Sequence, residues 1–158
     1  MSEAVSSHDD EEAASLESDA YWLRTIGRRP RVSIAEDNDD MREILRDVLT
    51  YAGFEVRTVI DGSELLELLE PMFRGDPDCW KPDVIVSDIC MPGAKTFRVI
   101  RDLRDSGWNT PLIFMSGLRD PRLEGIIERL GHAIFIEKPV ELQHLEETVR
   151  QAAVYGIE

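Results

Sequence analysis

Five side chains suited to phosphoryl or metal chemistry follow short apolar runs of the chain: Glu36, Asp37, Asp88, Ser116 and Lys138. These apolar runs are typical of buried strands, and they alternate along the chain with segments of helical periodicity. The carboxyl ends of parallel strands meet at one edge of a sheet, and ligands of such sheets bind beyond that edge. The spacing therefore predicts that three carboxylates, one hydroxyl and one ammonium group converge on one crevice.

Each of these residue types has a role in phosphoryl chemistry. Clustered carboxylates repel one another and favour a bound divalent cation, and oxygen ligands suit Mg²⁺. The carboxylate oxygen of Asp88 is a nucleophile of the kind that forms an aspartyl phosphate, and Mg²⁺ would offset charge on the transferring oxygens. Lys138 would supply a positive point charge to the same group, and Ser116 a hydrogen bond.

The elements that must position these groups are five strands and five helices. Strands are predicted over residues 31–35, 54–59, 84–86, 112–115 and 133–136. Helices are predicted from Met41 to a stop at Gly53, from Asp61 to shortly before Pro71, and over residues 96–106, 120–131 and 141–153. Strict alternation of strand and helix predicts an α/β fold with a parallel sheet covered on both faces and right-handed connections.

The charge is unevenly divided along the chain. The net charge is −14, and residues 1–20 hold seven acidic residues and no Lys or Arg. We expect an acidic, solvated tail over residues 1–30 and one α/β domain over residues 31–155. Leu16, Ala20 and Leu23 lie at helical spacing, which favours a short helix near residues 13–27 that packs on the domain.

The composition disfavours several classes of function. Non-specific nucleic-acid binding needs Lys and Arg for phosphate contacts, and this chain is strongly acidic. No apolar run approaches the ~20 residues of a membrane span, and no secretory signal begins the chain. Cys79 and Cys90 are too few for a disulfide scaffold and lack metal-ligand spacing. We therefore expect a cytoplasmic protein that binds neither nucleic acid nor membrane directly.

Four motifs resemble those of the response-regulator receiver domains of two-component systems. They are Glu36-Asp37 after the first strand, Asp88 with Met91-Pro92 beyond it, Ser116-Gly117 after the fourth strand, and Phe135 followed by Lys138-Pro139. The resemblance covers about residues 31–150. It implies a flavodoxin-like, doubly wound (βα)5 fold with strand order 2-1-3-4-5, as a stand-alone receiver.

The resemblance also implies roles for the acidic residues. Asp88 would be the phosphoacceptor, receiving its phosphoryl group from a phosphohistidine of a sensor histidine kinase or a histidine phosphotransfer protein. Mg²⁺ would be held by Asp37, by Asp88 and by the backbone carbonyl of Cys90. Glu36 would bind the ion directly or through water.

A switch on the opposite side of the site is implied as well. Ser116 and Phe135 would form the switch pair, with the hydroxyl moving towards the phosphoryl group and the ring turning inward. Lys138 would contact the phosphoryl group, and its bond to Pro139 would be cis. The face of the fourth helix, fifth strand and fifth helix would then change and control a downstream protein partner or form a homodimer. We expect no output domain, because Glu158 soon follows the fifth helix.

Two features depart from the family pattern besides the extra helix expected ahead of the first strand. Thr96 stands where many receivers have glycine, so the loop before it is expected to take a different path. Residues 71–82 form a longer link than usual, interpreted either as a partner surface or as an inert insertion. Cys90 and Leu118 lie two residues beyond Asp88 and Ser116, at rate-tuning positions, and neither side chain orients water well. We therefore expect slow loss of the phosphoryl group.

Two other classes of function compete with this interpretation. A phosphorylation-independent interaction module would keep the fold without needing the acidic pair, Asp88, Ser116 and Lys138. A phosphatase with an aspartyl nucleophile usually has a second Asp two residues after the first, and Cys90 occupies that position. The chain is therefore expected to be a phosphoacceptor rather than an enzyme, with at most slow autophosphatase activity.

Overall fold

The computed structural model of the chain describes residues 19–89, 95–117 and 120–158. Five strands form one sheet, and neighbouring strands are parallel in every pair. Their bounds are β1 Arg31–Ala35, β2 Glu55–Val59, β3 Val84–Asp88, β4 Leu112–Ser116 and β5 Ala133–Glu137. The strand order is β2-β1-β3-β4-β5, so the predicted order 2-1-3-4-5 and the flavodoxin-like class are confirmed.

A helix follows each strand: α1 Asp39–Tyr51, α2 Gly62–Phe73, α3 Lys95–Asp105, α4 Pro121–Leu130 and α5 Leu142–Tyr155. Three of the helices begin at a polar cap, where the side chain of Asn38, Asp61 or Asp120 accepts a backbone N–H of the first turn. Gly53, at φ 98°, ends α1 as the sequence predicted. In the described ranges, no helix combines the length and apolarity needed to cross a bilayer.

Apolar side chains fill one core layer on each face of the sheet. The layer under α1 and α5 includes Val32, Ile34, Leu45, Leu49, Val84, Val86, Leu145 and Val149. The layer under α2, α3 and α4 includes Leu65, Leu69, Ile85, Ile100, Leu103, Leu112, Phe114 and Ile127. Strands buried on both faces explain the continuous apolar runs of β3 and β4, which the sequence predicted as central strands.

Residues 19–26 form a helical segment against the layer under α1 and α5. Trp22 is fully buried, and its ring lies 5.3 Å from that of Phe54. Leu23, by contrast, is 62% exposed. The packed face therefore differs from the one favoured by the spacing of Leu16, Ala20 and Leu23, because the larger indole buries more apolar area. The boundary between tail and domain at residue 31 stays a prediction.

The sequence predicts an irregular segment from Pro71, but in the structure this segment begins only after Phe73. Helix α2 continues through Pro71 to Phe73, because Met72 is buried in the core. The N–H that proline lacks would have bonded the carbonyl of Glu67, an exposed residue, so water can take its place. Further along, the indole of Trp80 donates to Glu55 Oε1 at 2.9 Å.

Arg104 ties the end of α3 to the end of α4. Its guanidinium donates to the carbonyls of Leu130, Gly131 and Trp108 at 2.9–3.0 Å, and to His132 at 3.3 Å. These bonds satisfy carbonyls that the end of a helix leaves without partners.

We expect Arg104→Ala to lower the free energy of unfolding by about 2 kcal/mol, because several hydrogen bonds from one charged donor are lost. Urea denaturation followed by circular dichroism measures this difference. Arg101→Ala, one turn earlier and exposed, should change stability by less than about 0.5 kcal/mol. Equal effects of the two substitutions would contradict the bridging role.

Candidate functional site

The carboxyl ends of β1 and β3 bring three carboxylates together. Glu36 directly follows β1 and is buried, and its backbone N–H donates to the carbonyl of Val59 at 3.0 Å. Asp88 is the buried last residue of β3, whereas Asp37 is exposed. One carboxylate oxygen from each of Glu36, Asp37 and Asp88 lies within 4.8 Å of the other two. The predicted convergence of the acidic residues is therefore observed in the structure.

Lys138 brings a positive charge to the same cluster from the end of β5. Its Nζ lies 3.0 Å from Asp88 Oδ2 and 3.5 Å from Glu36 Oε1. Its backbone N–H donates to the carbonyl of Ser116 at 2.7 Å, which joins the ends of β4 and β5. The bond from Lys138 to Pro139 is cis, as the family resemblance implied.

Burial and like charge perturb the protonation of this cluster. The pKa of Glu36 is raised from its ordinary value of 4.5 to about 7, chiefly by burial and further by the hydrogen bond and negative charge of Asp88, against an opposing effect of the Lys138 charge. Burial alone would lower the pKa of Lys138, but the hydrogen bond and charge of Asp88 and the charge of Glu36 together raise it. Lys138 therefore stays an ammonium, and near neutral pH without a bound cation Glu36 is protonated in part of the molecules.

The raised pKa of Glu36 makes a prediction about stability in the absence of metal. The folded state binds this proton more tightly than the unfolded state, so the stabilisation is complete below pH 4.5 and is lost as pH rises through about 7. We expect a loss on the order of 2 kcal/mol over that window with a chelator present.

Denaturant unfolding of wild type and Glu36→Gln at several pH values isolates this contribution. The wild type should lose stability relative to the variant as pH rises. Parallel curves for the two proteins would show that Glu36 does not titrate in this way.

The chemistry of the donor set fits a hard divalent cation. Three carboxylates supply oxygen donors, which Mg²⁺ and Ca²⁺ prefer over nitrogen or sulfur. The second oxygen of Glu36, Oε2, is buried and has no hydrogen-bond partner among the described residues. Burying an unpaired carboxylate oxygen is costly, and a cation or a water bound to one would relieve that cost.

The other predicted site residues lie around this cluster or outside the described ranges. Ser116 is fully buried at the end of β4, and Phe135 is half-buried on β5, against the core layer under α2, α3 and α4. Thr96 is buried in the first turn of α3, and its Oγ1 has no hydrogen-bond partner in the described parts of the chain. The predictions for Cys90 and Leu118 fall on residues that the structure does not describe.

Arg42 is a site residue that the sequence reasoning missed. Its guanidinium donates to the backbone carbonyl of Glu36 at 3.0 Å and pairs with Asp39 at 2.6 Å. It therefore fixes the acidic loop from the first turn of α1. The spacing of Asp39 and Arg42 by three residues was the available signal, since such pairs are neighbours on a helix.

A parallel sheet of this order, with its polar crevice at the carboxyl edge, places the protein among the flavodoxin-like α/β folds. A family model described as the response regulator receiver domain matches residues 32–150. The chain belongs to this family, and the family is typical of signalling switches rather than of catalytic enzymes.

Relatives and solved structures agree with this assignment. The transport regulator DctD of Pseudomonas aeruginosa is 32% identical over 124 residues, which cover 77% of this chain and 25% of that protein. The response regulator MprA of Mycolicibacterium vanbaalenii is 30% identical over 121 residues, which cover 76% of this chain and 48% of that protein. The chain thus spans a quarter to about half of the length of these two relatives.

Structural similarity shows the same fold. The chemotaxis protein CheY4 of Vibrio cholerae has a TM-score of 0.66 at 24% identity, over 78% of this chain and 98% of that chain. A receiver domain of the Francisella response regulator 1452 has a TM-score of 0.66 at 25% identity, over 79% of this chain and 97% of that chain.

Proposed function

We propose that Asp88 accepts a phosphoryl group from a phosphohistidine, with Mg²⁺ bound at the cluster, and that this switches a surface of the domain. The observation that supports this most is the ammonium of Lys138, 3.0 Å from a buried Asp88 carboxylate that two further carboxylates approach. Asp88 would become negatively charged at its phosphoryl group after transfer. The ammonium of Lys138 and a cation bound by the carboxylates would both stabilise that charge.

Transfer of the phosphoryl group from a phosphohistidine to Asp88 needs no third reactant. An oxygen of Asp88 forms the bond to phosphorus, the bond from phosphorus to the histidine nitrogen breaks, and the imidazole leaves. Asp37, Asp88 and Glu36, with the backbone carbonyl of Cys90, would hold Mg²⁺, which when bound neutralises charge on the phosphoryl oxygens. Lys138 stabilises the remaining charge from the other side of Asp88.

The switch would arise from the new charge. A phosphoryl group adds about −1.5 to −2 charge and three acceptor oxygens. Ser116 would donate to one of these oxygens, and Phe135 would turn inward into the space behind it. The face of α4, β5 and α5 would then bind a downstream protein or a second copy of the chain.

The phosphoryl donor would be a sensor histidine kinase or a histidine phosphotransfer protein of the cytoplasm. The sensor kinase/phosphatase CqsS of Vibrio cholerae contains a segment 27% identical to this chain over 135 residues, which links the domain type to kinases. Slow loss of the phosphoryl group, set by Cys90 and Leu118, stays a prediction.

The proposal is tested with a small phosphodonor. The full chain is incubated with Mg²⁺ and acetyl phosphate, and intact-mass spectrometry should show one added phosphoryl group, absent with a chelator and absent in Asp88→Asn. The matched control is Asp47→Asn, which changes an exposed acidic residue of α1 away from the cluster and should leave the modification unchanged. No modification of the wild type would instead support a phosphorylation-independent interaction module.

A further inference from the structure

The loop between β1 and α1 carries two of the three carboxylates of the acidic cluster. Glu36 follows the last residue of β1, Asp37 comes next, and Asn38 caps α1. One oxygen of Glu36 and one of Asp37 lie within 4.8 Å of each other and of an Asp88 oxygen. Like charges at this separation repel. Contacts to the loop backbone must therefore keep the two carboxylates together before a cation binds.

Two hydrogen bonds hold the backbone of Glu36, one at each of its polar groups. Its N–H donates to the carbonyl of Val59 at 3.0 Å. Its carbonyl accepts from Arg42 Nη1, also at 3.0 Å, and this carbonyl belongs to the peptide unit that joins Glu36 to Asp37. On the other side of Asp37, the side chain of Asn38 caps the first turn of α1. Arg42 therefore fixes the peptide plane from which the Asp37 side chain departs.

The guanidinium of Arg42 is itself held in place. Its side chain is only 16% exposed, and Nη2 pairs with Asp39 Oδ1 at 2.6 Å. Because the side chain of Asp39 is 88% exposed, this ion pair alone contributes little to stability. Together with the bond to the carbonyl of Glu36, however, it fixes the plane of the guanidinium, whose donors have a rigid geometry.

The charge of Arg42 and its position predict opposite effects on cation binding. A positive charge near a cation site disfavours the ion, so loss of the charge alone would strengthen binding. Loss of the bond to the loop would weaken binding, because Glu36 and Asp37 would move apart. The guanidinium contacts the backbone of Glu36 rather than its carboxylate, and the charges that shift the pKa of that carboxylate are those of Asp88, Lys138 and Asp37. The geometry thus favours the effect of position.

We propose that Arg42 is a positioning residue that sets the affinity of the acidic cluster for Mg²⁺, by holding the peptide unit between Glu36 and Asp37. This inference rests on the proposed function, because it takes Mg²⁺ as the ion of the cluster. Arg42 acts on the ion only through the loop. Removing a group that orients metal ligands in this way typically weakens metal binding about 10- to 100-fold.

Calorimetric titration of the full chain with Mg²⁺, without a phosphodonor, tests this role. Arg42→Met keeps the aliphatic stem and should weaken Mg²⁺ binding about tenfold. Arg42→Lys keeps the charge but loses the planar fork, and should weaken binding about threefold. The matched control is Arg46→Met, which removes the same charge from an exposed position one turn further along α1. Its affinity should stay within about twofold of wild type, because solvent and salt screen an exposed charge. Circular dichroism checks that each variant is folded.

The Mg²⁺ dependence of phosphorylation separates positioning from a direct role in transfer. With acetyl phosphate, Arg42→Met should need about tenfold more Mg²⁺ for its half-maximal rate, while its rate at saturating Mg²⁺ stays within about twofold of wild type. A larger loss at saturating Mg²⁺ would overturn a role through the loop alone.

Two results of the titration would also overturn the inference. They are unchanged or tighter Mg²⁺ binding by Arg42→Met, and equal weakening by Arg46→Met. Failure of the proposed function has a different signature. A wild type that binds Mg²⁺ but gains no phosphoryl group would contradict phosphoryl transfer to Asp88, and the effect of Arg42 on Mg²⁺ affinity would still be measured.

Discussion

Replacing Trp22 by alanine is expected to lower the free energy of unfolding by about 3–5 kcal/mol, the cost of removing a large aromatic side chain from a core. Trp22 is fully buried in the layer under α1 and α5 and lies against Phe54. The guanidinium of Arg150 lies 5.7 Å from its ring, which adds a cation–π contact. Urea denaturation monitored by circular dichroism measures the loss without relying on the indole signal.

Two substitutions separate the buried ring from the helical segment that carries it. Trp22→Phe should cost only about 1–2 kcal/mol, because Trp22 Nε1 has no hydrogen-bond partner among the described residues to lose. Tyr21→Ala removes the neighbouring ring, which is 38% exposed, and should cost less than Trp22→Ala. If Trp22→Ala and Tyr21→Ala cost the same, residues 19–26 do not belong to the cooperative core.

Replacing Lys138 by methionine is expected to strengthen Mg²⁺ binding but to slow phosphoryl transfer to Asp88. Lys138 Nζ lies against Asp88 Oδ2 and Glu36 Oε1, oxygens that a cation at the cluster also needs. Removing the ammonium should therefore strengthen Mg²⁺ binding about three- to tenfold. Transfer from acetyl phosphate at saturating Mg²⁺ should slow about 100-fold, because one preorganised charge opposite the phosphoryl group is gone.

Lys138→Arg is the matched control, since it keeps the charge and changes its shape. It should leave Mg²⁺ affinity near that of wild type. Calorimetric titration gives the affinity, and intact-mass spectrometry over time gives the rate. A Lys138→Met protein phosphorylated at the wild-type rate would exclude Lys138 from transfer, and weaker Mg²⁺ binding would show that the ammonium does not compete with the ion.

The sheet and the acidic cluster were predictable from sequence because each rests on local signals. Apolar runs such as Val84-Ile85-Val86 are typical of strands buried on both faces, and the rule for carboxyl ends then places Glu36, Asp88 and Lys138 in one crevice. The distances between these groups, and the rise in the pKa of Glu36 that follows from burial, depend on how closely β1, β3 and β5 approach.

The features that sequence reasoning missed depend on tertiary contacts. Pro71 is a strong local signal for a helix end, yet burial of Met72 keeps the last turn of α2 intact. The spacing of Ala20 and Leu23 favoured a helix face that is exposed in the structure. The opposite face is buried because Trp22 packs against Phe54, a contact that local sequence does not reveal. Arg104 binds backbone carbonyls, which carry no residue-type signal for pattern reasoning to detect, whereas Arg42 had only its spacing to Asp39 as a signal.

The two edges of the sheet differ in how readily they would accept a foreign strand. On the edge strand β2, Glu55 binds the indole of Trp80, and the guanidinium of Arg57 lies 4.6 Å from the same ring. Charged and bulky groups fixed on an edge strand oppose pairing with another chain. On the opposite edge, Ile134 of β5 is 37% exposed. Aggregation by strand addition should therefore begin at β5, and the link that carries Trp80 protects β2 against it.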